Sequence, residues 1–373
     1  MPAREVLFSA GDPSGDLHAA ELAAELGQLR PDLSLVGVGG PRMQAAGVEL
    51  MEDLASHAVM GFAEIVRHLP RHAGIVRRLA RRLRSGRVAL LVCVDYGGMN
   101  LRVAAAARAA GVRVLYYITP QVWASRPGRL AGMARTITKA AVILPFEAPL
   151  LREHGIDATF VGHPLLDEIG TLPDQTRARA GLGLPGEGPI LALFPGSRAQ
   201  EVRRLLDPFV ATARLLEARV PGLRVIVSQA PGVTIDRTRC PYPTMSGLTA
   251  IQLRAATAAL CKSGTTTLEA AVAGCPLAVA YRTSRWTYEI ARRVVTIDRI
   301  GMVNIVAGRI IAPEFVQDAV RPGAMAEALL PLLDTGSPQR ATAVASLDEV
   351  RRMLGTPGAA GRVAHLASAL ATV

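Results

Sequence analysis

Four short stretches of this chain combine the residue types that phosphate binding and proton transfer require. The first is Gly11-Asp12-Pro13-Ser14-Gly15-Asp16, between an apolar run and a helix-forming one. Glycines there let backbone N–H groups approach an anion at a helix N-terminus, which makes Gly11, Ser14, Gly15 and Asp16 candidate ligand contacts. The loop is neither a Gly-Lys-Ser/Thr phosphate loop nor G-x-G-x-x-G, and a tight turn capped by Ser14 or Asp16 would use the same residues. The second is Val94-Asp95-Tyr96-Gly97-Gly98-Met99-Asn100. A carboxylate at the carboxyl end of a buried strand points into a ligand crevice, where burial raises its pKa toward that of a working base. Asp95 is therefore the candidate base, and capping of the next helix is the plainer alternative.

The other two stretches lie in the second half. Phe194-Pro195-Gly196-Ser197-Arg198 closes an apolar run and opens a helical one containing Glu201. Backbone donors, a positive helix end and a guanidinium would converge on one point, which suits a pyrophosphate. Lys262-Ser263-Gly264-Thr265-Thr266-Thr267-Leu268-Glu269 repeats the device. Ser263, Gly264, Thr265 and Thr266 are the phosphate contacts expected there, and Glu269 can accept from both ribose hydroxyls. A Ser/Thr cap with Glu at the third helical position is also an ordinary capping box. Two such loops in one half favour the binding role.

The elements that must position these residues read as alternating strand and helix. Apolar runs at 5–10, 33–38, 87–94, 113–118 and 141–144 alternate with helical spacing at 17–26, stopped by Gly27, and at 101–110. The nearly continuous run Arg87–Val94 has the pattern of a parallel strand covered on both faces. Glycine and proline crowd the stretch 162–188. The alternation then restarts with strands at 190–194, 224–228 and 277–280, helices at 199–218 and 265–274, and alanine-rich helical segments after Pro322. The fold class expected is α/β, two Rossmann-like doubly wound domains facing a cleft in a GT-B-like arrangement. The domains expected are 1–165, 166–345, and 346–373 as a C-terminal helix packing back on the first.

Composition narrows the partners. Of 373 residues, 42 are basic and 31 acidic, a formal net charge of +11, and Lys139 and Lys262 are the only lysines. Half the residues are hydrophobic and 20% charged, as in an ordered globular chain. Aromatics make up only 4%, too few for base-stacking platforms, so the excess charge is not assigned to nucleic acid. Sugar-nucleotide pyrophosphates and anionic membrane surfaces remain as polyanions. Cys93, Cys240, Cys261 and Cys275 show neither metal-ligand nor disulfide spacing. The charged N-terminus and the lack of an apolar run of membrane-spanning length predict a cytoplasmic protein.

Together these motifs resemble the lipid-A-disaccharide synthase family, the inverting glycosyltransferases of lipid A assembly. The matching stretches are AGDPSGDLHAAEL, VGVGGPRMQAAGVE, VMGFAEIVRHLPR, YYITPQVWASRPGRL, ILPFEAPLLREHGIDATFVGHPLLD, LFPGSRAQEV, KSGTTTLEAAVAGCPLAVAYR and IGMVNIVAGR, in the family's order from residue 10 to about 309. The resemblance implies transfer of 2,3-diacylglucosamine from UDP-2,3-diacylglucosamine to the 6-hydroxyl of 2,3-diacylglucosamine 1-phosphate, with no cofactor and no metal. It implies that Asp95 is the base, Arg198 the pyrophosphate contact, Glu269 the ribose contact and Asn304 a neighbour of the donor. Gln121, Trp123 and Arg126 would fall in a cleft-facing loop. This chain departs from the pattern in three places. The family's Asp-x-Pro-x-Phe-Asn keeps Asp95 and Asn100 here but replaces its proline and aromatic by Gly97 and Met99, with Gly98 between. Asp12 stands for a usual Glu, and Val303 for a common proline.

Acylated substrates need an apolar landing surface. Ile65, Val66, Leu69, Val76, Leu79 and Leu83 fall at helical spacing among seven arginines of 67–84, with Pro70 expected to break the run. Met60, Phe62, Ile65, Val66 and Leu69 are the candidate membrane and acyl contacts, on the inner face of the inner membrane. For 73–84 the plainer alternative is a helix packed on the sheet. The readings in competition are another GT-B enzyme on UDP-sugars, a soluble-acceptor transferase or epimerase, and a non-catalytic relative that binds UDP-sugar at a membrane. Oligomeric state is left open.

Overall fold

The structure, a computed structural model, describes residues 4–54, 62–124, 127–294 and 298–371. The chain forms two compact units, residues 1–167 with 355–373, and residues 168–354. In the first unit the elements are β1 (Arg4–Ala10), α1 (Pro13–Leu29), β2 (Leu33–Gly39), α2 (Pro41–Ala45), β3 (Glu49–Asp53), α3 (Phe62–Leu83), β4 (Val88–Val94), α4 (Gly97–Ala109), β5 (Arg113–Tyr117), α5 (Leu130–Thr136), β6 (Lys139–Val142), α6 (Glu147–Glu153), β7 (Ala158–Phe160) and α7 (Leu165–Ile169), the last running into the second unit. The strands pair in parallel in the order β3-β2-β1-β4-β5-β6-β7.

The second unit holds α8 (Gln175–Gly181), β8 (Ile190–Phe194), α9 (Ala199–Glu217), β9 (Arg224–Ser228), β10 (Thr244–Met245), α10 (Thr249–Ala255), β11 (Ala258–Lys262), α11 (Thr266–Ala273), β12 (Leu277–Tyr281), α12 (Arg285–Val294), α13 (Met302–Ala307), β13 (Glu314–Val316), α14 (Pro322–Leu333) and α15 (Pro338–Met353). Its parallel order is β10-β9-β8-β11-β12-β13. The last helix, α16 (Ala359–Leu370), belongs to the first unit. The fold class is the one read from the sequence, α/β with two doubly wound parallel sheets.

In each sheet the order reverses at one place, between β1 and β4 in the first unit and between β8 and β11 in the second. Loops leave a reversal point in opposite directions and open a crevice at the carboxyl ends of the strands. Those ends carry the Gly11, Asp95, Gly196 and Ser263 loops. Apolar side chains cover both faces of the first sheet. Ile75, Leu79 and Leu83 of α3, with Val103 and Ala107 of α4, bury one face. Leu22 and Leu26 of α1, with Val363, Ala364 and Ala367 of α16, bury the other.

Local physics moves several boundaries. α1 begins at Pro13, not Leu17, because Asp12 caps it, accepting from the Gly15 N–H at 2.7 Å, and proline suits the first helical position. Gly27 lies inside this helix and does not stop it. α4 begins at Gly97, four residues before its expected start. Pro70 does not break α3, which runs unbroken from 62 to 83, so the proline costs one backbone hydrogen bond without ending the helix. Part of the expected basic strip is neutralised. Arg71 donates to Glu52 at 3.0 Å, Arg78 pairs with the same carboxylate, and Arg82 makes two bonds of 2.7 Å to buried Glu5. Arg77, Arg81 and Arg84 stay exposed. Met60, Arg126 and the side chains of Phe62, Ile65, Val66 and Leu69 lie outside the described residues.

Candidate active site

Asp95 follows the central strand β4 of the first unit in a conformation that a non-glycine residue rarely adopts. Its φ is 46°, and that of Tyr96 is also 46°. Such backbone persists only where neighbours over-determine it. Asn100 is fully buried, and its Nδ2 donates to the carbonyls of Ser9, Val94 and Asp95 at 3.0, 3.1 and 2.9 Å while Oδ1 accepts from Ser9 Oγ at 2.7 Å. The Tyr116 hydroxyl donates to the Asp95 carbonyl at 2.8 Å. Gly11 is needed for space, since a Cβ there would lie 2.1 Å from the Tyr96 ring. Asn100 and Gly11 thus shape the turn that aims Asp95.

The carboxylate itself is only partly engaged. One oxygen accepts from the Tyr96 N–H at 2.7 Å, and no hydrogen bond reaches the other among the described residues. Burial holds its pKa above the usual carboxylate range, the negative charge of Asp12 adds to this, and the Tyr96 N–H and His18 oppose it. A group so placed accepts a proton more readily than an ordinary aspartate.

The rest of the first loop is committed to the fold. Asp16 is buried and accepts from Gly40, Met43 and Arg42 N–H groups at 2.8, 3.1 and 3.1 Å, capping α2. The Gly15 N–H is spent on Asp12. Both were expected to contact ligand, and both serve the turn instead. Ser14 is exposed. Gln121 is exposed as well, whereas Trp123 packs its ring edge-on against Phe146 at 4.9 Å and donates from Nε1 to Glu147 at 3.0 Å. Burial lifts Glu147 to about 7, and the Trp123 and backbone donors hold it back.

In the second unit, the ends of β8, β9 and β11 enclose a cavity of about 420 Å³. Gly196, Ser197 and Arg198 line it from one side and Lys262, Ser263, Gly264, Thr265 and Thr266 from another. Glu201, expected to contact ligand, lies nearly buried behind them. It accepts from the Ser197 N–H at 3.1 Å and pairs with Lys262 at 3.0 Å and Arg198 at 3.7 Å. Its charge holds two cations at the cavity wall, so the Ser197 N–H is not available to an anion. Gly196, at φ +133°, lets Glu201 approach, since a Cβ would come within 2.6 Å of that side chain. Gly264, at φ +156°, lies just before α11. Sequence reading missed Lys262, whose signal was its rarity in an arginine-rich chain.

Glu269 does not line that cavity. It lies one turn into α11, where burial raises its carboxyl to about 7, the Thr266 hydroxyl opposing and Glu168 adding to the rise. Asn304 is fully buried and fully employed. Its Nδ2 donates to Ala312 O at 2.8 Å and Glu314 at 2.7 Å, and its Oδ1 accepts from Ile311 and Ala312 N–H groups at 2.8 and 2.9 Å. The residue expected beside the donor thus ties α13 to β13. Glu314, which the sequence did not single out, accepts from Ile300 and Gly301 N–H groups at 2.9 and 2.8 Å and fixes the turn leading to Asn304. Among the described residues, no group of three or more His, Cys, Asp or Glu is arranged to hold a metal.

A family model described as Lipid-A-disaccharide synthetase matches residues 6–357. The chain belongs to the lipid-A-disaccharide synthase family. Lipid-A-disaccharide synthase of Syntrophus aciditrophicus (strain SB) is 39% identical over 99% of this chain and 98% of its own length. That of Anaeromyxobacter sp. (strain K) is 40% identical over 97% and 96%. Among solved structures, the calicheamicin glycosyltransferase CalG4 superposes with a TM-score of 0.64 at 18% identity, covering 99% of this chain and 98% of that one. The UDP-GlcNAc 2-epimerase from Neisseria meningitidis gives 0.61 at 10% over 97% and 99%. These likenesses show the GT-B fold. As a lipid-A-disaccharide synthase family member, the chain is a glycosyltransferase of lipid A biosynthesis acting on a UDP-sugar and a lipid acceptor. No helix among its described residues is long and apolar enough to cross a membrane.

Proposed function

We propose that the donor is UDP-2,3-diacylglucosamine, that the acceptor is 2,3-diacylglucosamine 1-phosphate, and that Asp95 is the base. Asp95 takes the proton of the acceptor 6-hydroxyl as that oxygen attacks the anomeric carbon. The bond from that carbon to the β-phosphate oxygen breaks, and UDP leaves with the electron pair. One in-line displacement inverts the centre and gives a β-1,6-linked disaccharide.

The observation that carries this reading is the second unit's cavity, where Arg198, Lys262 and the starts of α9 and α11 meet around small residues. Charge that builds on the β-phosphate is met there by cations already held in place by Glu201, which costs no reorganisation during reaction. Asp95 supports the other half, with its lifted pKa and one carboxylate oxygen unbonded. Glu269 is assigned to the ribose and Gln121 to the acceptor side. The apolar residues of 60–69 are assigned to the acyl chains and to an anionic membrane, read as the cytoplasmic face of the inner membrane.

The test measures UDP release from the named donor with and without the named acceptor. Release should require the acceptor, persist with a chelator present, and fall about 100-fold or more in Asp95→Ala. Near-normal turnover by that variant overturns the role of Asp95. An acceptor-independent change in UDP-GlcNAc would favour an epimerase.

A further inference from the structure

We infer that the groove between α4 and α5 of the first unit binds the phosphomonoester of the acyl-sugar acceptor. The inference deepens the reading above and rests on it, since the phosphate is placed relative to a hydroxyl deprotonated at Asp95. A cavity of about 610 Å³ starts at Gly97 and Gly98, the first two residues of α4, and continues between the helices. Leu101 and Met133 supply apolar wall, and Arg102, Arg129 and Arg135 line it. No Asp or Glu does. A second hollow of about 570 Å³ continues past Arg135 to Arg108.

Elsewhere in the molecule a number of arginines are held by carboxylates. Arg30, Arg71, Arg78, Arg82, Arg219, Arg239 and Arg309 all pair with carboxylates. Among the described residues Arg102, Arg108, Arg129 and Arg135 pair with none. Three unpaired guanidinia around one concavity repel each other until an anion joins them, and a phosphate dianion accepts from a guanidinium in its preferred two-pronged geometry. The N–H groups of Gly97 and Gly98 belong to the orphan donors of the first helical turn and add a fixed positive end. A Cβ on Gly98 would meet nothing within 4 Å, so this mouth is open.

Position completes the argument. Gly97 is two residues beyond Asp95, so their Cα atoms are at most about 7.6 Å apart. In a pyranose the 6-hydroxymethyl on C5 and the 1-phosphate on C1 flank the ring oxygen, so the two groups lie within one sugar's width of each other. With the hydroxyl at Asp95, the phosphate reaches the head of α4, and acyl carbon can lie along Leu101 and Met133. The departure from the family pattern at Gly97 and Met99 then has a physical effect. Met99 turns into the core, and the glycines leave the helix end uncovered.

The decisive experiment compares the wild type with R102Q/R129Q/R135Q on two acceptors, 2,3-diacylglucosamine 1-phosphate and the same sugar with a free 1-hydroxyl. For the phosphorylated acceptor, the variant should lose about 10-fold or more in kcat/KM through KM, with the donor KM unchanged. On the free-hydroxyl acceptor the two proteins should perform alike, and replacing the three arginines by lysine should restore part of the loss. Equal losses on both acceptors, or no loss, overturn the inference. In a ³¹P NMR titration with short-chain diacylglucosamine 1-phosphate, the wild type should shift and broaden the resonance and the variant should not. That readout stands even if no UDP is released, which separates failure of this inference from failure of the proposed reaction. If the variant instead loses binding to phosphatidylglycerol vesicles while its acceptor KM is unchanged, the groove holds membrane headgroups and the inference falls.

Discussion

At the scale of single residues, the first unit shows how a carboxylate is made basic without a partner base. Burial disfavours the Asp95 anion, and Asp12 adds like charge. A base with a raised pKa becomes active only as pH rises through that value, so the acid limb of a pH–rate profile should lie above the ordinary aspartate range. Asp12→Asn keeps an oxygen to cap α1 but removes the charge. The Asp95 pKa should then drop, and the acid limb should move to lower pH with the plateau rate little changed. A limb that stays in place would show that another group sets it. In the second unit, Glu201→Gln removes the charge that holds Arg198 and Lys262. UDP binding by calorimetry should weaken about 10-fold, because two long side chains must then be ordered by the ligand.

At the scale of elements, several buried strands were legible because a strand covered on both faces reads as an unbroken apolar run, as Val88–Val94 and Ile190–Phe194 do, whereas the short central strand β11 (AALCK) was missed within an alanine-rich stretch. β3, with sequence ELMED, was not, since an edge strand needs no such run. The loop chemistry was legible as residue types, but the division of labour within it was not. Asp16, Glu201 and Asn304 have the composition of ligand contacts, yet each is consumed by backbone N–H groups or cations that converge only after folding. Sequence spacing records which groups are near along the chain, whereas Glu314 meets Asn304 across a turn between two elements. α3 has two parts. Its later turns pack Ile75, Leu79 and Leu83 into the core and anchor Arg82 on Glu5, so Arg82→Gln should lower stability to urea by about 1–3 kcal/mol by stranding a buried acceptor. Its earlier turns are assigned to the membrane. Changing Ile65, Val66 and Leu69 to Ser should weaken sedimentation with anionic vesicles and leave that stability unchanged.

At the scale of the whole molecule, arginines paired with carboxylates on the surface add nothing to the net charge of +11, whereas Arg102, Arg108, Arg129 and Arg135 along α4 and α5 pair with no carboxylate among the described residues. The first unit is closed by residues from both ends of the chain. Arg30 donates to the Ser368 carbonyl at 3.4 Å, Arg113 to the Leu370 carbonyl at 3.0 Å, and Asp167 accepts from the Ala359 N–H at 3.0 Å. Deleting 355–373 should therefore lower the melting temperature of the first unit, followed by protection of its amides from hydrogen exchange, more than that of the second.

The same closure sets a schedule for biosynthesis. The apolar face of α1 leaves the ribosome well before the α16 residues that cover it. Some 330 residues separate them, roughly 15–65 s of translation at bacterial rates. The second unit, continuous in sequence, can complete its sheet within that interval. The nascent chain thus carries a finished second unit while Leu22 and Leu26 still lack the α16 side chains that cover them.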